Sequence, residues 1–234
     1  IYIFPHLAEG FLADRRARLN LKGKPSTEEL ADIYEATLTL LYRLLFLLYA
    51  ESRDLLPVRE GPYGAASLKK LKEEIADKAG VAFDQTGDLI RKSFSDKEAG
   101  FYDRLCTLFT AMDKGDPVLN VPTYNGGLFN TSPDTSADRE QRIARFLRDH
   151  KVPDRFLARA IDRLARDQDE KTFGMVFIDF KSLEVRHLGS IYEGLLEFKL
   201  KVAEEDLSTQ TEKNQEKYIP LSEVKAKKGK TIEV

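Results

Sequence analysis

Residues 25–54 read PSTEELADIYEATLTLLYRLLFLLYAESRD, and the spacing of their apolar side chains decides the architecture. Ser26 can accept a hydrogen bond at a helix start, and Glu29, three residues on, can close a capping box. From residue 30 to about 54, Leu30, Ile33, Tyr34, Leu38, Leu41, Leu44, Leu45, Leu48 and Tyr49 recur at helical intervals. Leu40, Phe46 and Leu47 widen that stripe. An apolar face so broad belongs to a helix with neighbours on most sides, so this one is expected at the centre of a bundle. Pro57 and the Gly61-Pro62 pair end it.

The flanking sequence supplies the neighbours. A helix is expected over 65–78, with Leu68, Leu71 and Ile75 on one face and Gly80 as its stop. Ser95-Asp96-Lys97-Glu98 spells a second capping box ahead of Phe101, Leu105, Leu108, Phe109 and Met112. Turn residues dominate 115–136, with Tyr124-Asn125-Gly126-Gly127 at their centre. Helices near 137–149 and 153–167 follow, the second with Pro153 at its first position, and the two are expected to form a hairpin. The run 175–180 has β-type residues, and a last helix carries Leu188, Ile191, Tyr192, Leu195 and Leu196. Gly189 and Gly194 weaken that helix and imply a close approach to another backbone. Phe198, Leu200 and Val202 alternate as in a strand leaving the bundle, and 208–234 reads as a polar linker or hairpin. The expected fold is therefore mainly α: a multi-helix bundle around a long buried helix, with a few short strands and an extended C-terminal tail. Its divisions are a lead-in at 1–25, a helical domain at 26–207 and a linker or β-extension at 208–234.

Composition is that of a globular chain, 42% hydrophobic and 32% charged over 234 residues. The net charge of -2 supplies no global field for nucleic acid, so any contact with DNA needs a local patch. Cys106 is the single cysteine, which excludes an internal disulfide and a cysteine-rich zinc site and fits a reducing cytoplasm. The uninterrupted apolar run 44–50 is shorter than a bilayer requires, so no membrane association is expected. Starting at Ile1 without an initiator methionine, the chain reads as a piece of a longer polypeptide.

Four patterns bear on chemistry. Pro153-Asp154 followed by Asp179-Phe180-Lys181 spells PD…DxK, in which two acids hold Mg²⁺ and a lysine activates water. That nuclease core needs its acids on adjacent strands, whereas Asp154 opens a helical segment, so a helix-capping carboxylate is the preferred reading. His6, His150 and His187 are scattered, with no second ligand at metal-binding spacing. Asn125-Gly126-Gly127 lacks the spacing of a phosphate loop and is expected to lock two elements together, with Tyr124 and Phe129 as core anchors. Finally, Arg139, Arg142, Arg145 and Arg148 repeat every three residues, and Arg155, Arg159, Arg163 and Arg166 every three or four. Between 139 and 166 nine Lys or Arg face four Asp or Glu. Each set forms a helical stripe that suits DNA phosphates or, equally, a solvated face with ion pairs to Asp149, Asp154 and Asp162.

Four stretches together carry a resemblance: LTLLYRLLFLLYAESRDLLP at 38–57, TYNGGLFN at 123–130, FIDFKSLEVRHLGSIYEGLLEF at 177–198 and VAEEDL at 202–207. They resemble the helical region that precedes the methyltransferase domain in type IIG restriction-modification enzymes and related phage-defence adenine methyltransferases. The resemblance spans most of 27–207, and the string containing Arg186, His187, Gly189, Tyr192, Glu193 and Gly194 is its most specific part. It implies a non-catalytic connector between a nuclease or other effector region and a methyltransferase, coupling recognition and methylation to cleavage of double-stranded DNA. S-adenosylmethionine and Mg²⁺ are implied for the parent protein and no cofactor for this segment. The family's Thr-Gly-Ser-x-Tyr-Thr-Pro and Asn-Pro-Pro-Tyr stretches do not occur here, so no catalytic residue is carried over. The alternatives are a scaffold region of a phage-defence methyltransferase without nuclease, and a Mg²⁺-dependent nuclease using Asp154, Asp179 and Lys181.

Overall fold

A computed structural model describes residues 3–59, 61–124, 126–184, 207–212 and 215–226, with a few isolated positions between 186 and 205. It is a mainly α protein. Helix α1 spans Ile3–Leu19, α2 Thr27–Ser52, α3 Gly61–Ala66, α4 Leu68–Ala79, α5 Thr86–Ser93 and α6 Gly100–Lys114. A 3₁₀ turn at Gly127–Phe129 precedes α7, Arg139–Asp149, and α8, Asp154–Ala165. Strand β1, Arg166–Gln168, pairs antiparallel with β2, Met175–Phe177. A second hairpin pairs β3, Leu207–Glu212, with β4, Gln215–Pro220, and α9, Leu221–Ala226, folds back on it.

Helix α2 starts as its sequence dictates: the Ser26 hydroxyl accepts the Glu29 backbone N–H at 3.1 Å. The box stays half closed, because the Glu29 carboxylate turns to Arg16 of α1 at 3.4 Å. Thirteen residues after Ile33, α2 is still buried at Phe46's neighbours Leu45 and Leu47, and Leu40, Leu44 and Leu47 are fully enclosed. By length and mean hydropathy, 1.3 over its best window, α2 is a helix that could cross a membrane, yet 67% of that window is buried inside the protein. Its apolar surface is taken up by α1, α4 and α7.

Residues 3–19, read from sequence as part of a lead-in, are a core helix. Phe4, Leu7, Ala8 and Phe11 of α1 belong to the main apolar cluster. Gly10 lets α1 approach α8, since a Cβ there would stand 2.5 Å from Val152 Cγ1 and 3.1 Å from Phe156 Cβ. Gly10→Ala is expected to cost about 1–3 kcal/mol through forced separation of the two helices. A melting temperature equal to that of the natural chain would show that the contact yields freely.

Two expectations need correction. The expected helix at 65–78 is broken at Ser67, whose hydroxyl accepts the Lys70 N–H at 3.1 Å and starts α4 afresh. Helices α7 and α8 do not form a packed hairpin: α7 lies on α2, and α8 lies across α1, α4, α5 and α6. Gly10 is a place where a helix crossing needs a glycine, while no described atom stands within 4 Å of a Cβ at Gly189. Asn125, His187, Tyr192, Gly194 and the strand expected at Phe198 to Val202, Leu200 excepted, fall outside the described residues.

Candidate functional site

The PD…DxK residues do not converge. Asp154 is the first residue of α8, while Asp179 follows Ile178, whose N–H bonds to the carbonyl of Ala165 at the far end of the same helix. At about 1.5 Å of rise per residue those ends are roughly 17 Å apart, too far for one metal ion. Asp154 caps another helix instead: its Oδ1 accepts the Phe101 N–H at 2.8 Å, at the start of α6. In return, the Asp154 and Arg155 N–H groups donate to the carbonyls of Glu98 and Ser95. Burial pushes the Asp154 carboxyl upward against the two backbone N–H groups that favour its charge. Asp154→Ala should lower stability by about 1 kcal/mol, the usual worth of a capping carboxylate. A chemical-denaturation midpoint that does not move would remove Asp154 from this role. Asp179 accepts the Lys181 N–H at 2.9 Å and opens a 3₁₀ turn at Phe180–Ser182. Among the described residues no three His, Cys, Asp or Glu side chains group to hold a metal.

Cys106 lies half-buried on α6. Burial pushes its thiol up to about 11, which leaves little thiolate at neutral pH and makes it a poor nucleophile.

The Tyr124 loop is a latch. The Tyr124 N–H donates to the Met112 carbonyl at 2.8 Å and its hydroxyl to the Leu55 carbonyl at 3.0 Å. Phe46 of α2 meets the edges of Tyr124 and Phe129 with centroids 5.8 and 5.1 Å away. At its heart is Arg43 of α2, 4% exposed, whose guanidinium donates to the carbonyls of Leu128 (2.7 Å) and Asn130 (3.2 Å). That cation also rests over the Phe109 and Phe129 rings, 5.0 and 5.8 Å from their centroids. Gly126 is open to solvent space, and Gly127 faces the Glu140 carboxylate.

The arginine stripes separate into different roles. Arg139 pairs with Glu35 of α2 at 3.0 Å, and Arg142 reaches Asp32 and Glu35 at 3.8 and 3.6 Å. Arg145 donates to the carbonyls of Asp134 and Ser136, and Arg148 pairs with Asp149. The first half of this stripe therefore lies against the acidic Asp32 and Glu35 of α2, and its second half is engaged by the 134–136 loop and by Asp149. In the second stripe, Arg166 must be removed from any phosphate-facing surface. It is 4% exposed, pairs with Asp162 at 2.5 Å and donates to the Gly80 carbonyl at 2.7 Å, fastening the end of α8 to the end of α4. Arg163 stands 4.3 Å over the Phe83 ring. Arg186 is exposed and pairs with Glu184, and Glu193 is exposed.

Arg155 and Arg159 reach a different place. A cleft of about 250 Å³ lies between α1, α5 and α8, lined by His6, Glu9, Gly87, Ile90, Arg91, Arg155, Phe156 and Arg159. Arg155 pairs with Asp96 at 2.8 Å and Arg91 with Asp88 at 3.6 Å. Arg159 is half-buried beside Gly87, its Nη1 3.0 Å from the position a Cβ there would occupy. Sequence reasoning found the two α8 arginines but not His6, Gly87 or Arg91, because three helices distant in the chain build this cleft. No family model, curated protein or solved structure matches the chain.

Proposed function

We propose that this chain is the non-catalytic helical connector of a bifunctional DNA adenine-N6 methyltransferase and restriction endonuclease, holding recognition and methylation in register with cleavage. One observation supports the mechanical part above all: the buried charged groups fasten element to element. Arg43 ties α2 to the 127–130 loop, Glu51 of α2 ties to α3 and α4, and Arg166 ties α8 to α4. A block so cross-linked moves as a unit, which is what transmission of geometry between neighbouring domains requires. The DNA-modifying part of the proposal rests on the sequence resemblance, with double-stranded DNA and the flanking methyltransferase and nuclease domains as partners. The β3–β4 hairpin and α9, packed on one another, are the surface proposed for the methyltransferase side.

The test is the ratio of two activities in the parent polypeptide. Asp154→Ala, which loosens the α6–α8 junction without emptying the core, should lower DNA cleavage several-fold more than adenine methylation, in the presence of S-adenosylmethionine and Mg²⁺. An unchanged ratio would sink the coupling role, and a parent that methylates no DNA at all would sink the whole reading.

A further inference from the structure

We infer that the cleft between α1, α5 and α8 is a binding site for a small phosphate or pyrophosphate anion, gripped by Arg159 with Arg155 and Arg91 at its sides. The inference does not depend on the connector reading, since it stands on the shape and charge of the cleft alone.

Three guanidinium groups border one concavity of about 250 Å³. That is smaller than the roughly 300–1,000 Å³ of pockets for drug-sized organic ligands, and it suits an inorganic phosphate, a pyrophosphate or one terminal phosphoryl group. Arg155 and Arg159 are one turn apart on α8, and Arg91 comes from α5, so donors approach the same space from two directions. A tetrahedral phosphoryl group presents three oxygens out of one plane and can meet forks from both sides. A carboxylate, with two coplanar oxygens, meets one fork well.

The donors are also available. Arg139, Arg142, Arg148, Arg155 and Arg166 all have carboxylates within 4.0 Å, whereas Arg159 has none among the described residues although it is half-buried. Asp96 holds Arg155 through one nitrogen and is itself 48% exposed, and the Asp88–Arg91 contact is long, 3.6 Å. Each pair is formed through a single guanidinium nitrogen, and a guanidinium carries five N–H donors, so an incoming anion can share these groups with Asp96 and Asp88. Glu9 is the one carboxylate in the lining; it is 63% exposed, 3.9 Å from His6, and sits at the rim. Gly87 gives Arg159 its place, since any side chain there would press on the guanidinium.

Calorimetric titration of the chain with inorganic phosphate, pyrophosphate and a short DNA duplex, at constant ionic strength, tests the site. Saturable one-to-one binding of pyrophosphate is expected, weakened about tenfold or more by Arg159→Ala, the loss of one charge-assisted contact. Arg139→Ala, on the stripe already answered by Glu35, should leave it unchanged. Gly87→Ala separates binding from folding: it favours helix α5, so the melting temperature should hold or rise while pyrophosphate affinity falls. Three outcomes would overturn the proposal: no saturable binding of either small anion, equal losses in the Arg139 and Arg159 variants, or binding of the duplex alone, which would assign these arginines to a nucleic-acid backbone.

Discussion

Arg43→Met should lower the unfolding free energy by about 3 kcal/mol, with hydrogen exchange rising first in the 124–131 loop. Methionine nearly fills the space of the arginine stem, so the loss is of bonds more than of volume. Two carbonyls, Leu128 and Asn130, are left without the guanidinium that now reaches both. Each unsatisfied carbonyl costs roughly 1–3 kcal/mol where water cannot replace the donor. The Phe109 and Phe129 faces lose a desolvated cation, worth about 1–2 kcal/mol more. Opposing these is relief of a buried charge. Burial drives the Arg43 guanidinium below its usual range, against the pull of Tyr102, Cys106 and Asp113, so part of its benefit is already offset. For a chain of this size about 3 kcal/mol corresponds to a fall of roughly 6–12 °C in melting temperature. A variant that melts with the natural chain, and whose loop exchanges no faster, would mean that the latch is held by Phe46 and Tyr124 alone.

Glu51→Ala should be at least as damaging, about 3–5 kcal/mol. Glu51 is 7% exposed at the end of α2. Its Oε1 accepts the Tyr63 hydroxyl at 3.0 Å and the Leu68 N–H at 2.8 Å, and its Oε2 accepts the Lys69 N–H at 2.7 Å. One carboxylate from α2 thus caps α4 and pins α3, and alanine would orphan three donors and open a cavity. Glu51→Gln keeps Oε1 but turns an NH₂ group toward the Lys69 N–H, so a loss of roughly 1–3 kcal/mol is expected. The pH response follows from burial, which raises the Glu51 carboxyl and outweighs the three hydrogen bonds and nearby Lys72. A raised folded value means that, between the unfolded value near 4.5 and the higher folded one, the folded chain holds more proton at this site than the unfolded chain. This contribution is therefore fully present below the unfolded value and is lost as pH rises through the folded value. The natural chain minus Glu51→Gln difference, measured by denaturation across that window, should shrink as pH rises. A difference that grows would show the hydrogen bonds dominating the burial.

Much of the bundle was legible in apolar periodicity. Helices α2, α4, α6, α7 and α8 each announce themselves by buried residues three and four apart, as with Leu105, Leu108, Phe109 and Met112. Helix α1 carries the same signal in Phe4, Leu7, Ala8 and Phe11, but Pro5 beside Phe4 obscured it; proline is tolerated in a first turn, where its missing N–H has no partner to lose. Helix α5 has too few buried residues, Thr86 and Ile90, to stand out from its surroundings. A periodic pattern also says which face an arginine occupies and not what lies opposite it. Asp32 and Glu35, a hundred residues from Arg139, could be placed only by the tertiary fold. The same limit hid the cleft, whose lining comes from α1, α5 and α8. Two clues in the central helix were available: Arg43 and Glu51 interrupt an otherwise apolar surface, and a charge at such a position demands a partner. They mark two places where the buried face of the helix is bolted to its neighbours.

Helix α1 has a consequence for anyone trimming this chain. The Phe11 ring meets the edges of both Tyr102 and Phe146, at 6.1 and 5.5 Å, and Gly10 seats the same turn against Val152. Deleting the first twenty residues would uncover a greasy trough along three other segments at once, and such a shortened product should come out of cells as insoluble clumps.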